Sequence, residues 1–130
     1  MKVRRVLALA VSMVALAGCE TFAEPSILSS TVKVQATSGP MVGAVIRTDL
    51  TQDMLGGMTY RERAVNYSGV PVCARVLLIS TNASNYSYGS THLVPVGATV
   101  ELGYADNGAT LEYDLWQPDS SGVCGYPAGA

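Results

Sequence analysis

Residues 99–116 read TVELGYADNGATLEYDLW, and the fold class turns on them. Asn107-Gly108 readily takes the positive φ angles that a two-residue type I′ hairpin turn demands. Setting Asp106 opposite Ala109 places Tyr104 against Leu111, Leu102 against Tyr113 and Val100 against Leu115, so the apolar residues share one side. A slip of one residue mixes the two sides. The polar side then carries Glu101 opposite Asp114 and Gly103 opposite Glu112. Like charges directly opposed destabilise a ladder. The acidic face formed by Glu101, Glu112 and Asp114 is therefore a site for a cation or basic partner, or a solvated outer face relieved by Arg61 or Arg63. No Asp-rich calcium loop accompanies the acids, which favours the solvated face.

Working outward, the same short-strand grammar continues. Val32, Val34 and Ala36 alternate with polar residues, Met41 to Arg47 is rich in β-branched side chains, and Val72 to Ile79 is an apolar run behind Pro71. Thirteen glycines and six prolines interrupt the chain at short intervals, and no long helical periodicity or internal repeat is present. The expected class is all-β, a small antiparallel β-sandwich or barrel. Trp116 alternates away from the apolar side of the hairpin, and is read as packing beneath the C-terminal tail or as an exposed contact.

The N-terminus is of another kind. A basic start, Met1 to Arg5, precedes an apolar run from Val6 to Ala17 broken only by Ser12. A helix of that length rises about 18 Å, short of the roughly 30 Å hydrocarbon core, so it reads as an export signal rather than a span. The run ends in Leu16-Ala17-Gly18-Cys19, which resembles the lipobox of bacterial lipoproteins. That resemblance covers residues 1–19. It implies a lipoprotein signal peptide over 1–18, cleavage before Cys19, and a thioether-linked diacylglycerol, usually with an N-acyl chain, on Cys19. Stable attachment takes at least two membrane signals, which such a modification supplies. Residues 19–30, with Pro25 and several serines, read as the lipidated cysteine and a short tether, and 31–130 as the β-sandwich domain. Glu20 in place of an aspartate after the cysteine implies, by the enterobacterial sorting pattern, the outer membrane facing the periplasm. The inner membrane and the cell surface are the alternatives.

Removing residues 1–18 leaves 112 residues, with five basic side chains (Lys33, Arg47, Arg61, Arg63, Arg75) against ten acids. That negative balance argues against nucleic-acid binding, and attraction to a membrane has to come from the anchor. With Cys19 assigned to lipid, Cys73 and Cys124 form an even pair in a compartment that permits disulfides, and are expected to bond to each other.

Catalytic chemistry is not evident. His92 is the only histidine, a cysteine nucleophile needs a base, and zinc needs three or four ligands at suitable spacing. No Gly-x-Ser-x-Gly elbow, Walker loop or dinucleotide fingerprint occurs, so no catalytic residue, cofactor or metal is expected. Asn-x-Ser triplets begin at Asn66, Asn82 and Asn85, and read as turn chemistry rather than glycosylation behind a bacterial signal. The segment TNASNYSYGST, 81–91, has the composition of protein-binding loops. Tyr86 and Tyr88 would point the same way if it is extended, making them the candidate partner-binding residues.

Two classes of function compete. One is a membrane-anchored, non-enzymatic protein-binding or assembly module with an envelope protein partner, or an inhibitor of a secreted hydrolase such as lysozyme. The other is an enzyme acting on the cell wall, and the missing motifs favour the first. In size, anchor and architecture the chain is similar to the transthyretin-like lipoproteins of type VI secretion systems and to the small β-barrel lipoprotein inhibitors of lysozyme. Likeness of architecture does not carry function across.

Overall fold

A computed structural model describes residues 25–125. Cys19, the signal segment and most of the tether lie outside the described residues. Eight strands make up the ordered elements: β1 Ser26–Gln35, β2 Ala44–Gln52, β3 Met58–Asn66, β4 Val72–Thr81, β5 Tyr86–Ser87, β6 Thr91–Val94, β7 Thr99–Ala105 and β8 Ala109–Trp116. They form a five-stranded sheet in the order β1-β2-β3-β7-β5 and a three-stranded sheet in the order β6-β4-β8. All pairings are antiparallel. The sheets face each other as a sandwich and do not close into a barrel. β1 begins at Ser26, inside the stretch read from its proline and serines as tether.

The alternation of each strand explains the core. Ala44 and Ile46 of β2 and Ala64 of β3 turn inward, and meet Val72, Ala74 and Val76 of β4. β4 is the middle strand of the smaller sheet and is covered on both faces, which is why its sequence is a nearly continuous apolar run. Its outward Cys73 is fully buried and bonded to Cys124, 51 residues away, with 5.7 Å between the Cα atoms. The bond lays the C-terminal segment over that face. There Trp116, paired with Cys73 across β4 and β8, donates its indole N–H to the Gly125 carbonyl at 2.8 Å. The Arg75 guanidinium stands 5.7 Å from the Trp116 ring centre, a distance at which cation and π face attract.

The expected β7–β8 hairpin does not form. β7 pairs with β3 and β5, β8 pairs with β4, and residues 106–108 carry the chain from one sheet to the other. A type I′ turn requires positive φ at both central residues, and neither Asn107 nor Gly108 has it. Asp106 is held instead by the neighbouring loop, its carboxylate accepting from the Ser84 N–H and hydroxyl while its own N–H donates to the Asn85 carbonyl. The inward set was still read largely correctly, because Val100, Leu102, Leu111, Tyr113 and Leu115 all pack on the core. They face one another across the sandwich rather than standing side by side. Tyr104 is the exception: an irregularity in the β3–β7 register puts it opposite Arg61, on the outer side of the larger sheet.

The acidic face dissolves with the hairpin. Glu101 lies on the larger sheet, its carboxylate 2.8 Å from the Arg61 guanidinium. Asp114 lies on the smaller one, 2.9 Å from Arg75, and Glu112 stands opposite Leu77. Among the described residues no group of three or more His, Cys, Asp or Glu side chains is placed to hold a metal ion.

Asn66 ties the two sheets at one end. It is fully buried, its amide N–H groups donate to the carbonyls of Val70 and Val94, and its side-chain oxygen accepts from the Ser68 N–H and hydroxyl. Its backbone also bonds to Gly97 and Ala98 in the β6–β7 connection. Gly43 completes this end: with φ of 106°, it lies so close to the Tyr67–Ser68 backbone that an added Cβ would stand 2.9 Å from it.

Candidate functional site

Five strands laid over three leave part of an inner face uncovered. The exposed part belongs to β1 and β2, beside the free edge of β8, and there a cleft of about 250 Å³ opens. Its floor carries Thr48 and Leu50 of β2 and Tyr60 and Glu62 of β3, the continuation of the face that carries Ile46 and Ala64 into the core. Leu111 and Tyr113 of β8 form the far wall, and Lys33 of β1 stands on the near one.

Glu62 decides the chemistry here. Only 1% of it is exposed. One carboxylate oxygen accepts from the Thr48 hydroxyl at 2.6 Å and from the Tyr113 hydroxyl at 2.8 Å, while the other is buried with no hydrogen-bond partner. Burial pushes its pKa above the ordinary carboxyl value, against the opposing pull of those two hydroxyls and of the Lys33 charge. Burial also raises the Tyr113 pKa, reinforced by its bond to Glu62, and lifts the Tyr88 phenol to about 12, with the Glu62 charge adding to it. Both phenols are held protonated, and Tyr113 uses its proton as donor to Glu62.

The shift has a sign that can be measured. Above pH 4.5, the ordinary value for the group, the folded chain holds the Glu62 proton more tightly than the unfolded chain does. Stability therefore declines as pH rises through that window, and is fullest below it. Glu62→Gln keeps an acceptor for Thr48 and Tyr113 and removes the titration. Its urea midpoint relative to the parent chain is expected to rise between pH 4.5 and about pH 7.5. An unchanged difference at the two pH values would contradict the assignment.

Tyr86 and Tyr88 do share a side, with ring centres 6.3 Å apart and planes within 18°. Their roles differ. Tyr86 is 48% exposed, whereas Tyr88 packs on the core and lines the cleft. It fits there because Gly103, paired with Glu62, has no side chain: an added Cβ would collide with the Tyr88 ring and with the Ser87 carbonyl. His92 sits on β6 opposite Ala74 and does not line the cleft.

Glu62 escaped the sequence reading, although the signal was present: Tyr60, Glu62 and Ala64 alternate with Arg61 and Arg63, which sets an acid in the inward register. No family model, curated protein or solved structure matches this chain.

Proposed function

We propose that this chain is a bacterial envelope lipoprotein, held by lipid on Cys19 and facing the periplasm from the outer membrane, that works as a non-enzymatic protein-binding or assembly module. The observation that carries the reading is the cleft. A buried carboxylate with one oxygen lacking a donor stands among tyrosines whose ionisation is suppressed, and Tyr86 lies exposed beside them. Glu62 fixes the Thr48 and Tyr113 hydroxyls from within, and the surface a partner would meet is made by the exposed Lys33, Tyr60 and Tyr86 around it. Among the described residues neither a second carboxylate nor a histidine lines the cleft beside Glu62, which favours the supply of a contact over turnover of a substrate. Nucleic acid is an unsuitable partner for so acidic a chain.

One experiment in cells tests both halves. The chain carries a photoreactive amino acid in place of Tyr86, with and without Cys19→Ser, during growth with labelled fatty acid. The expected result is label on the parent only, and a crosslinked envelope protein recovered with it. Equal labelling of Cys19→Ser would remove the anchor. Labelling without any crosslinked protein would remove the binding role of this face.

A further inference from the structure

The end of the larger sheet opposite Asn66 has the reverse of an ordinary surface. Ser26 pairs with Gln52, and Gln52 with Met58, so the start of β1, the end of β2 and the start of β3 lie together. Here Leu55 is 97% and Met54 74% exposed, with Leu28 and Met58 each about half exposed, while Ile27 lines a separate hollow with Arg63, Thr99 and Glu101. Contiguous exposed apolar groups of this kind mark an interaction surface.

The tip is built, not loose. The Asp53 carboxylate accepts from the Leu55 N–H at 2.9 Å and the Gly57 N–H at 2.8 Å, the Asp53 N–H donates to the Gly57 carbonyl, and the Gly56 N–H donates to the Asp53 carbonyl. Gly56, with φ of 86°, completes the turn. Four bonds thus fix a loop whose two largest side chains, Met54 and Leu55, make no core contact. Fixing the backbone that carries them lowers the entropy lost when the tip is covered.

We infer that the 53–57 tip, with Leu28 and Met58, inserts its apolar side chains into the lipid surface beside the anchor, so that the domain stands on the bilayer by this end. The inference rests on the lipid-anchored reading, and the chain path supplies the occupant. Cys19 precedes Ser26 by seven residues, which span at most roughly 23 Å when fully extended. β1 leaves that point running away from the tip. A bilayer holding Cys19 therefore lies within reach of Leu55, whereas the far end of the sheet, at Val42, Tyr67 and Val96, faces away. No basic residue lies in the tip or at the start of β1. Insertion is driven by apolar burial rather than by attraction to anionic headgroups, and is insensitive to salt.

The test places one tryptophan at each end of the lipidated full chain, by Leu55→Trp or Val96→Trp, in phosphatidylcholine vesicles with and without bromine on the upper acyl chain. Native Trp116 supplies the common background. Bromine is expected to quench the added emission of Leu55→Trp and leave that of Val96→Trp, with the same result at low and high salt. Equal quenching at both ends, or none at Leu55, in protein that floats with the vesicles would overturn the placement and leave the anchor standing. A photoreactive residue at position 55 that captures a protein in cells instead of lipid would also overturn it, by making the tip a protein contact. Failure to recover a lipidated chain would remove the anchor itself and this placement with it.

Discussion

Replacing Cys73 and Cys124 together by alanine is expected to lower the stability of the domain by about 4 kcal/mol. That figure follows from the loop-closure entropy of a cross-link spanning roughly 50 residues, and it is a large share of the 5–15 kcal/mol that holds a typical domain together. For a domain of about 100 residues the thermal midpoint should fall by roughly 15–30 °C. A second signature identifies the cause. Freeing the tail removes the Gly125 carbonyl from the Trp116 indole and exposes the outer face of β4. Trp116 emission should therefore shift to the red in the variant before global unfolding begins. A midpoint that is the same with and without reductant in the parent chain would show that the bond contributes nothing.

Asn66→Leu is the second large effect, and it comes from polar groups rather than from a lost cross-link. The two side chains are similar in size, but leucine leaves the Val94 carbonyl and the Ser68 N–H without their present partners in the buried connection, while the Val70 carbonyl keeps the Ser68 hydroxyl as donor. Each unsatisfied buried group costs about 1–3 kcal/mol, so a total of roughly 3–5 kcal/mol is expected once some relaxation is allowed. Urea unfolding should show a reduced midpoint with an unchanged slope. Hydrogen exchange should speed up first in 67–71 and 95–98, the two connections that Asn66 ties together. A loss below about 1 kcal/mol would mean that water replaces the amide without penalty.

Much of the fold was legible because the sequence states which side of each strand is wet. The alternation of Leu111, Tyr113 and Leu115 and the double-sided burial of Val72 to Val76 need only local periodicity. What periodicity cannot state is which strand lies alongside. Two strands with matching inward faces satisfy the same pattern whether they share a ladder or face each other across a core, and the Asn107-Gly108 pair tipped the reading toward the ladder. The residue before that pair, Asp106, is instead bonded to Ser84 and Asn85, more than twenty residues upstream, a tertiary choice with no local mark. The candidate site was hidden for a related reason. Glu62 sits in an inward register that its own strand displays, but its meaning depends on Tyr113 arriving from the opposite sheet and on Tyr88 folding in from the far edge of its own. The disulfide was accessible from cysteine parity together with the compartment that the export signal implies, and the structure places the two cysteines in that bond. Tyr86 and Tyr88 share a side, as an extended segment requires, yet Tyr88 packs inward over Gly103, and of the two only Tyr86 is exposed.

The crossing at 106–108 has a kinetic consequence. Because β7 belongs to one sheet and β8 to the other, with three residues between them, β7 cannot be laid beside β3 without delivering β8 to the edge of β4. The β1-β2-β3 meander can assemble from near neighbours in sequence. Among the remaining pairings, β3 with β7 and β4 with β8 join residues about thirty to forty-five positions apart, and the short crossing makes these two a single event. Non-local closure of this kind belongs to the slow, millisecond-to-second class of folding reactions. Until it occurs the larger sheet has an open edge at β3, which is the interval in which the chain is most exposed to pairing with another copy of itself.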